Sequence, residues 1–204
     1  MSEVAKEMTN IANPEALDAL SALSERYVFA LVPGFKNSGP EHWQSHWQNS
    51  TPFFTRITHS HWTHRDIHFW IDAIRRLLAE VEKPVILIGH SLGSLASACV
   101  IAEAHPRVAG GMLVAPAEPM RFEAEDQIPH APLPRPTVLV ASHNDTLISL
   151  SRTQGLAQNW QSDFVDLGDA GHINSESGFG RWPYGLTILA DLVARIEDGA
   201  AAQG

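Results

Sequence analysis

Short apolar runs alternate along this chain with longer stretches in which apolar residues recur every three or four positions. Six runs have strand length and β-branched or aromatic character: 27–32 (YVFALV), 53–58 (FFTRIT), 84–89 (PVILIG), 110–115 (GGMLVA), 137–142 (TVLVAS) and 163–168 (DFVDLG). Several are continuously apolar rather than alternating, as in strands covered on both faces of a parallel sheet. Between them lie amphipathic segments. Over residues 66–82, Ile67, Trp70, Ile71, Ile74, Leu77 and Leu78 fall on one helical stripe. Helices are also predicted over 92–105, 150–160 and 184–198, after the third, fifth and sixth strand runs. Strand-then-helix repetition of this kind builds an α/β doubly wound domain.

Residues 13–26 predict a helix ahead of the first strand, with Asn13 as its cap and Pro14 at its first position. The expected organisation is an N-terminal helical extension over 1–26, one α/β domain over 27–198 and a C-terminal tail over 199–204. Residues 116–136 are rich in proline and acid and are expected to form a surface connection with room for a short helix. With only about 20 irregular residues, that connection is too short for a substantial lid, so an open, capless site is expected.

Composition narrows the function classes. The 204 residues are 44% apolar and 18% charged, which suits one globular domain. A formal charge of −9 leaves no electrostatic footprint for nucleic acid or an anionic membrane. The N-terminus lacks the basic start and apolar core of a secretory signal, and no apolar run approaches the roughly 20 residues that span a bilayer. Cys99, the single cysteine, excludes an intrachain disulfide framework and fits a reducing compartment, so a cytoplasmic location is expected. Cys99 itself is expected to be a small buried hydrophobe on a core helix.

One stretch carries chemistry. The run "VILI" ends in Gly89-His90-Ser91-Leu92-Gly93, and the small residues of a predicted helix follow. G-x-S-x-G between a strand and a helix is the context of a nucleophile elbow. So sharp a turn needs glycine on both sides of the serine, because larger side chains would collide with neighbouring backbone. It also puts Ser91 at a helix N-terminus, where free amide donors can face a developing oxyanion.

A serine hydroxyl is a poor nucleophile at neutral pH without a base. In α/β-hydrolases the partners follow in the order Ser, acid, His, each in a loop after a strand. Asp145 lies just beyond the fifth strand run and His172 beyond the sixth. Asp163 and Asp166 fall within a predicted strand, and Asp169 is close in sequence to His172. His143 shares the loop of Asp145 and is expected to be exposed. His90, inside the elbow, is expected to pack or hydrogen-bond beside the nucleophile rather than act as base. The oxyanion hole needs two donors: the N–H of Leu92, directly after the nucleophile, and a second from the loop after the first strand. There Gly34 permits close approach of the backbone, and Phe35 is the expected donor.

The stretches "FALVPGFKNSGPEHWQSHW", "PVILIGHSLGSLAS", "SHNDTLIS" and "DAGHINSESGFGRWPYG" resemble the YdeN-like and retinoblastoma-binding-protein-nine family of small serine hydrolases. The most specific piece is G-H-x-N-x-x-S-G-x-G-x-W-P-x-G, from Gly171 to Gly185, with the loop holding Trp43 and Trp47. The resemblance spans about residues 27 to 196. It implies a compact, capless α/β-hydrolase fold with a six-stranded, mostly parallel sheet and helices on both faces, a triad of Ser91, Asp145 and His172, and esterase-like activity on small acyl substrates. Residues 1–26 are additional to the minimal family domain. The partner motif L-x-C-x-E is absent, since Ser97 stands where its leucine would be, so a retinoblastoma-type interaction is not carried over.

Eleven histidines invite a metal reading, and His64 and His68 could share a helical face. No carboxylate stands where an H-E-x-x-H site holds its base, and the triad needs no metal, so no metal and no cofactor are expected. Gly34, His90, Trp43 and Trp182 are expected to line the substrate pocket, the tryptophans as aromatic wall. The expectation is a serine hydrolase cleaving a small acyl ester, with a small-molecule substrate, no nucleic-acid or membrane partner and an undefined protein partner. The alternatives are a hydrolase-fold interaction module with vestigial activity, and an amidase or peptidase using the same residues. Haloalkane dehalogenase chemistry is disfavoured because its nucleophile is an aspartate.

Overall fold

Alternation inside the apolar strand runs decides which side chain enters which layer. In β1 (Val28–Val32), Phe29 and Leu31 face one side, while Ala30 and Val32 face the other. In β3 (Val85–His90), Ile86 and Ile88 join the first set, and Val85 and Leu87 the second. The computed structural model describes residues 14–202. Its other strands are β2 (Phe54–Arg56), β4 (Val108–Val114), β5 (Thr137–Ala141) and β6 (Asp163–Asp166). They form one six-stranded sheet in the order β2-β1-β3-β4-β5-β6, in which every neighbouring pair is parallel. The "mostly parallel" sheet is therefore parallel throughout.

Two hydrophobic cores follow, one on each face. Helices α1 (Pro14–Leu23), α2 (Trp43–Ser50) and α6 (Pro183–Ala201) cover one through Leu20, Trp43, Trp47, Leu189, Leu192 and Val193. Helices α3 (His68–Glu80), α4 (Leu92–Ala102) and α5 (Leu150–Trp160) cover the other. The stripe read from the sequence, Ile67 to Leu78, is buried at each of its six positions. Helix α4 is buried from Leu92 to Ile101, which explains why it is apolar all round and has no polar face. Residues 116–136 contain only the short 3-10 turn Pro119–Phe122.

Some boundaries differ from expectation. Helix α2 was absent from the predicted elements because its sequence, WQSHWQNS, is too polar for an apolar stripe; two tryptophans carry its burial. Helix α6 runs to Ala201, past residue 198, where the domain was expected to end. The proposed cap Asn13 lies outside the described residues. Parallel register aligns the carboxyl ends of the strands: Val32 pairs with Gly89, Gly89 with Leu113, and Leu113 with Leu139. The loops after β1, β3, β4, β5 and β6 therefore open on one edge, where ligands of such sheets bind.

Candidate active site

Ser91 occupies the turn between β3 and α4 with φ 55° and ψ −121°. This is a region L-residues rarely adopt, and such strain persists only where the surroundings enforce it. Here they do. A Cβ on Gly93 would lie 2.1 Å from the Val32 carbonyl oxygen, and one on Gly89 would lie 2.6 Å from Cα of Ser94. The Ser91 N–H donates to the Val114 carbonyl (3.0 Å), as does the Ser94 hydroxyl (2.9 Å). The flanking glycines thus let β1, β3 and α4 close on one another, and closure holds the serine in its strained pose.

The carboxylate and imidazole expected from the sequence meet. His172 Nδ1–H donates to Asp145 Oδ2 at 2.7 Å, and both side chains are shielded, at 8% and 3% exposure. With its proton on Nδ1, the neutral ring carries its lone pair at Nε2. That atom is buried without a hydrogen-bond partner, and His172 lines the same cleft as Ser91. No Ser91–His172 hydrogen bond is formed in this state; such bonds are often long in unliganded enzymes.

Several residues that sequence reasoning did not single out hold this pair. The His172 N–H donates to Ser177 Oγ (3.1 Å), and the Ser177 hydroxyl donates to Asn174 Oδ1 (3.0 Å). Asn174 also caps the 3-10 turn Ser175–Ser177. Asn144 Oδ1 accepts from the Gly171 N–H at 2.7 Å, tying the Asp145 loop to the His172 loop. These contacts give the G-H-x-N-x-x-S spacing its physical meaning, which pattern alone does not disclose. Ile173, next to the histidine, has φ 48°, a costly conformation for a β-branched residue. Its carbonyl accepts from Trp43 Nε1–H at 3.0 Å.

The cleft has a volume of about 630 Å3. Gly34 and Phe35 line it, and a Cβ on Gly34 would lie 2.8 Å from Cβ of Ser91, so the loop after β1 touches the serine. Leu92 is the first residue of α4, where a helix N–H lacks an intrahelical acceptor. The loop after β1 is anchored from behind. Gln44, fully buried, donates to the carbonyls of Val32 (3.3 Å) and Ile88 (3.0 Å), while Trp70 Nε1–H donates to Pro33 (2.8 Å).

His90 lines the cleft and donates from Nε2 to the His172 carbonyl at 2.9 Å, with burial pushing its pKa well below the usual histidine value. Burial, aided by Arg56, likewise lowers His42 to about 3. His42 Nδ1 accepts the Gln44 N–H, and its ring stands 4.6 Å from that of His90.

Two expectations are corrected. Trp43 and Trp182, at 0% and 1% exposure, do not line the cleft. Their rings pack on each other 5.1 Å apart, behind the His172 loop, because the aromatic mass of α2 fills the core under that loop. His64 and His68 do not share a helical face, since α3 begins at His68. No group of three metal-capable side chains occurs among the described residues. His143 is exposed and pairs with Asp166 (2.6 Å). Cys99 is buried, and desolvation pushes its thiol up to about 12. No described helix is long and apolar enough to cross a membrane.

Comparison with known proteins bears on the family and the fold. A family model described as Serine hydrolase matches residues 29–191. A YdeN-like hydrolase of Pectobacterium atrosepticum is 49% identical, with a TM-score of 0.87 over 89% of this chain and 98% of that one. The ydeN gene product of B. subtilis is 17% identical, with a TM-score of 0.66 over 83% of this chain and 99% of that one. An esterase domain of a Rhodothermus marinus protein is 20% identical, with a TM-score of 0.60 over 83% and 86%. The last two share the fold. No curated protein matches the sequence significantly. With the family match spanning most of the domain and the strained serine at the carboxyl edge of a parallel sheet, the chain belongs to the YdeN-like serine hydrolase family.

Proposed function

We propose that this serine hydrolase is a carboxylesterase-like enzyme that cleaves small acyl esters through Ser91, His172 and Asp145. The observation that carries the proposal is the buried Asp145–His172 hydrogen bond, which leaves Nε2 without a partner in the cleft that Ser91 lines. Ser91 Oγ attacks the ester carbonyl carbon while its proton passes to His172 Nε2. The oxyanion is held by the N–H groups of Leu92 and Phe35. The carbon–oxygen bond to the alcohol breaks as the alcohol takes the proton from His172. Water then attacks the acyl-enzyme, giving a proton to Nε2, and the carboxylic acid leaves as Ser91 recovers its hydrogen. Asp145 fixes the ring tautomer and supports the imidazolium.

The cleft volume suits a small substrate, and Phe122, Ala117 and Leu147 supply apolar wall. The reaction calls for no cofactor. A cytoplasmic location belongs to the same proposal, supported by a single cysteine that is buried. The test is hydrolysis of p-nitrophenyl acetate by wild type and His172→Ala, with the matching anilide alongside. The expected result is a loss of at least about 1,000-fold in kcat for the variant, with the ester preferred over the anilide. Equal rates for the two proteins would favour a hydrolase-fold interaction module, and preference for the anilide would favour an amidase.

A further inference from the structure

The charges around the cleft run against the acidic balance of the chain. With 23 carboxylates against 14 Lys and Arg, an average surface would place mostly acid at the site. Instead three basic side chains from three separate segments line the cleft with Ser91: Lys36 after β1, Arg65 ahead of α3 and Arg121 in the 3-10 turn after β4. Among the described residues none of the three pairs with a carboxylate within 4 Å, whereas Arg26, Arg75, Arg152 and Arg195 each do.

The acids of the cleft do not cancel them. Glu118 lies 3.6 Å from the Arg152 guanidinium, which it shares with Glu125. Two carboxylates, Glu118 and Glu176, thus face three cations in the cleft. The basic residues are also held in place. Arg65 Nη1 donates to the Arg121 carbonyl (3.1 Å), which joins the two arginine segments across the cleft mouth. The Lys36 N–H donates to the Trp62 carbonyl (2.7 Å), which ties the loop after β1 to the Arg65 loop. Lys36 keeps a left-handed backbone (φ 68°) without glycine's freedom, a cost that specific surroundings must offset.

Resting on the esterase reading, we propose that the substrate carries an anionic group, a carboxylate on its acyl or alcohol part, which Lys36, Arg65 and Arg121 receive while the ester carbonyl lies at Ser91. Arginine suits this role because its planar fork matches a carboxylate. The apolar wall of Phe122 and Leu147 then accommodates the carbon skeleton between the two ends.

Two isosteric pairs test this. For the alcohol part they are 4-acetoxybenzoate and 4-acetoxybenzamide; for the acyl part, the mono-p-nitrophenyl ester of adipic acid and that of adipamic acid. The expected result is that in at least one pair the anionic ester has a kcat/KM about fivefold or more above its neutral twin. That ratio should fall toward one in 1 M NaCl, where the screening length shrinks to about 3 Å. It should also fall in Arg65→Gln/Arg121→Gln and, separately, in Lys36→Gln. Ratios at or below one in both pairs, or ratios unchanged by all these variants, would overturn the proposal. Binding of the intact four compounds to Ser91→Ala by calorimetry decides the same question without turnover. Tighter binding of an anionic member supports the charge assignment even if wild type hydrolyses none of the esters, an outcome that would count against the esterase reading alone. Equal binding within both pairs overturns it whatever the activity.

Discussion

At the scale of single residues, the site depends on which ring nitrogen carries each proton. His172 has its proton directed to Asp145, His90 to the His172 carbonyl, and His42 accepts the Gln44 N–H at Nδ1. Three imidazoles in a row would repel if charged, and burial keeps His90 and His42 neutral. This has a consequence for stability. Above pH 6.5 the buried and unfolded rings are both neutral. As pH falls from 6.5 toward the folded value of about 3 for His42, the unfolded chain takes up a proton that the folded ring refuses, so stability falls. Each such ring costs about 1.4 kcal/mol per pH unit within that window. In urea unfolding, His42→Gln should therefore lose about 2 kcal/mol less than wild type between pH 7 and pH 5. Equal losses would show that His42 is not held neutral by the fold.

At the scale of elements, the strand–serine–helix turn and the loop after β6 do the positioning. Gly93→Ala would force a methyl against the Val32 carbonyl, and chemical denaturation should show a loss of more than about 2 kcal/mol or failure to fold. Trp43→Phe is a milder probe. It removes the Nε1–H donor to Ile173 while keeping most of the aromatic packing, and should cost about 1 kcal/mol. Because Ile173 adjoins His172, the same variant should lower kcat more than it raises KM; an unchanged kcat would separate the tryptophan from the site.

The elements also show what a sequence can disclose. The strands, the stripe of α3, and the loops holding Ser91, Asp145 and His172 follow from periodicity and order, because the apolar residues there have no competing role. Helix α2 has no apolar stripe because polar residues stand on its buried face: Gln44 and Ser45 are buried and hydrogen-bonded to backbone carbonyls, those of Gln44 lying in the strands β1 and β3. Trp43 and Trp182 were misplaced for a related reason. Burial direction in an aromatic at the start of a helix is decided by the tertiary neighbours, and those neighbours are more than a hundred residues apart in the chain. The support given by Asn144, Asn174 and Ser177 is invisible as periodicity, since each acts through side-chain hydrogen bonds within turns or between loops.

At the scale of the whole molecule, two cores sandwich one parallel sheet, and the N-terminal helix belongs to one of them. Leu20 of α1 is fully buried against that core, and Arg26 and Tyr27 both contact Glu197 of α6. We expect this segment to act as part of the domain rather than as an appendage. Leu20→Ala should then destabilise the whole cooperative transition by about 2–4 kcal/mol, while a local effect without a change in the global midpoint would mark a separate unit. The same architecture gathers at one sheet edge a strained serine, a shielded imidazole–carboxylate pair and an unpaired basic rim. Whether that edge performs acyl transfer is tested most directly by treating the protein with a fluorophosphonate and locating the adduct by mass spectrometry. A single adduct on Ser91, absent in Ser91→Ala and much slowed in His172→Ala, is the expected result. Equal labelling of wild type and Ser91→Ala would contradict it.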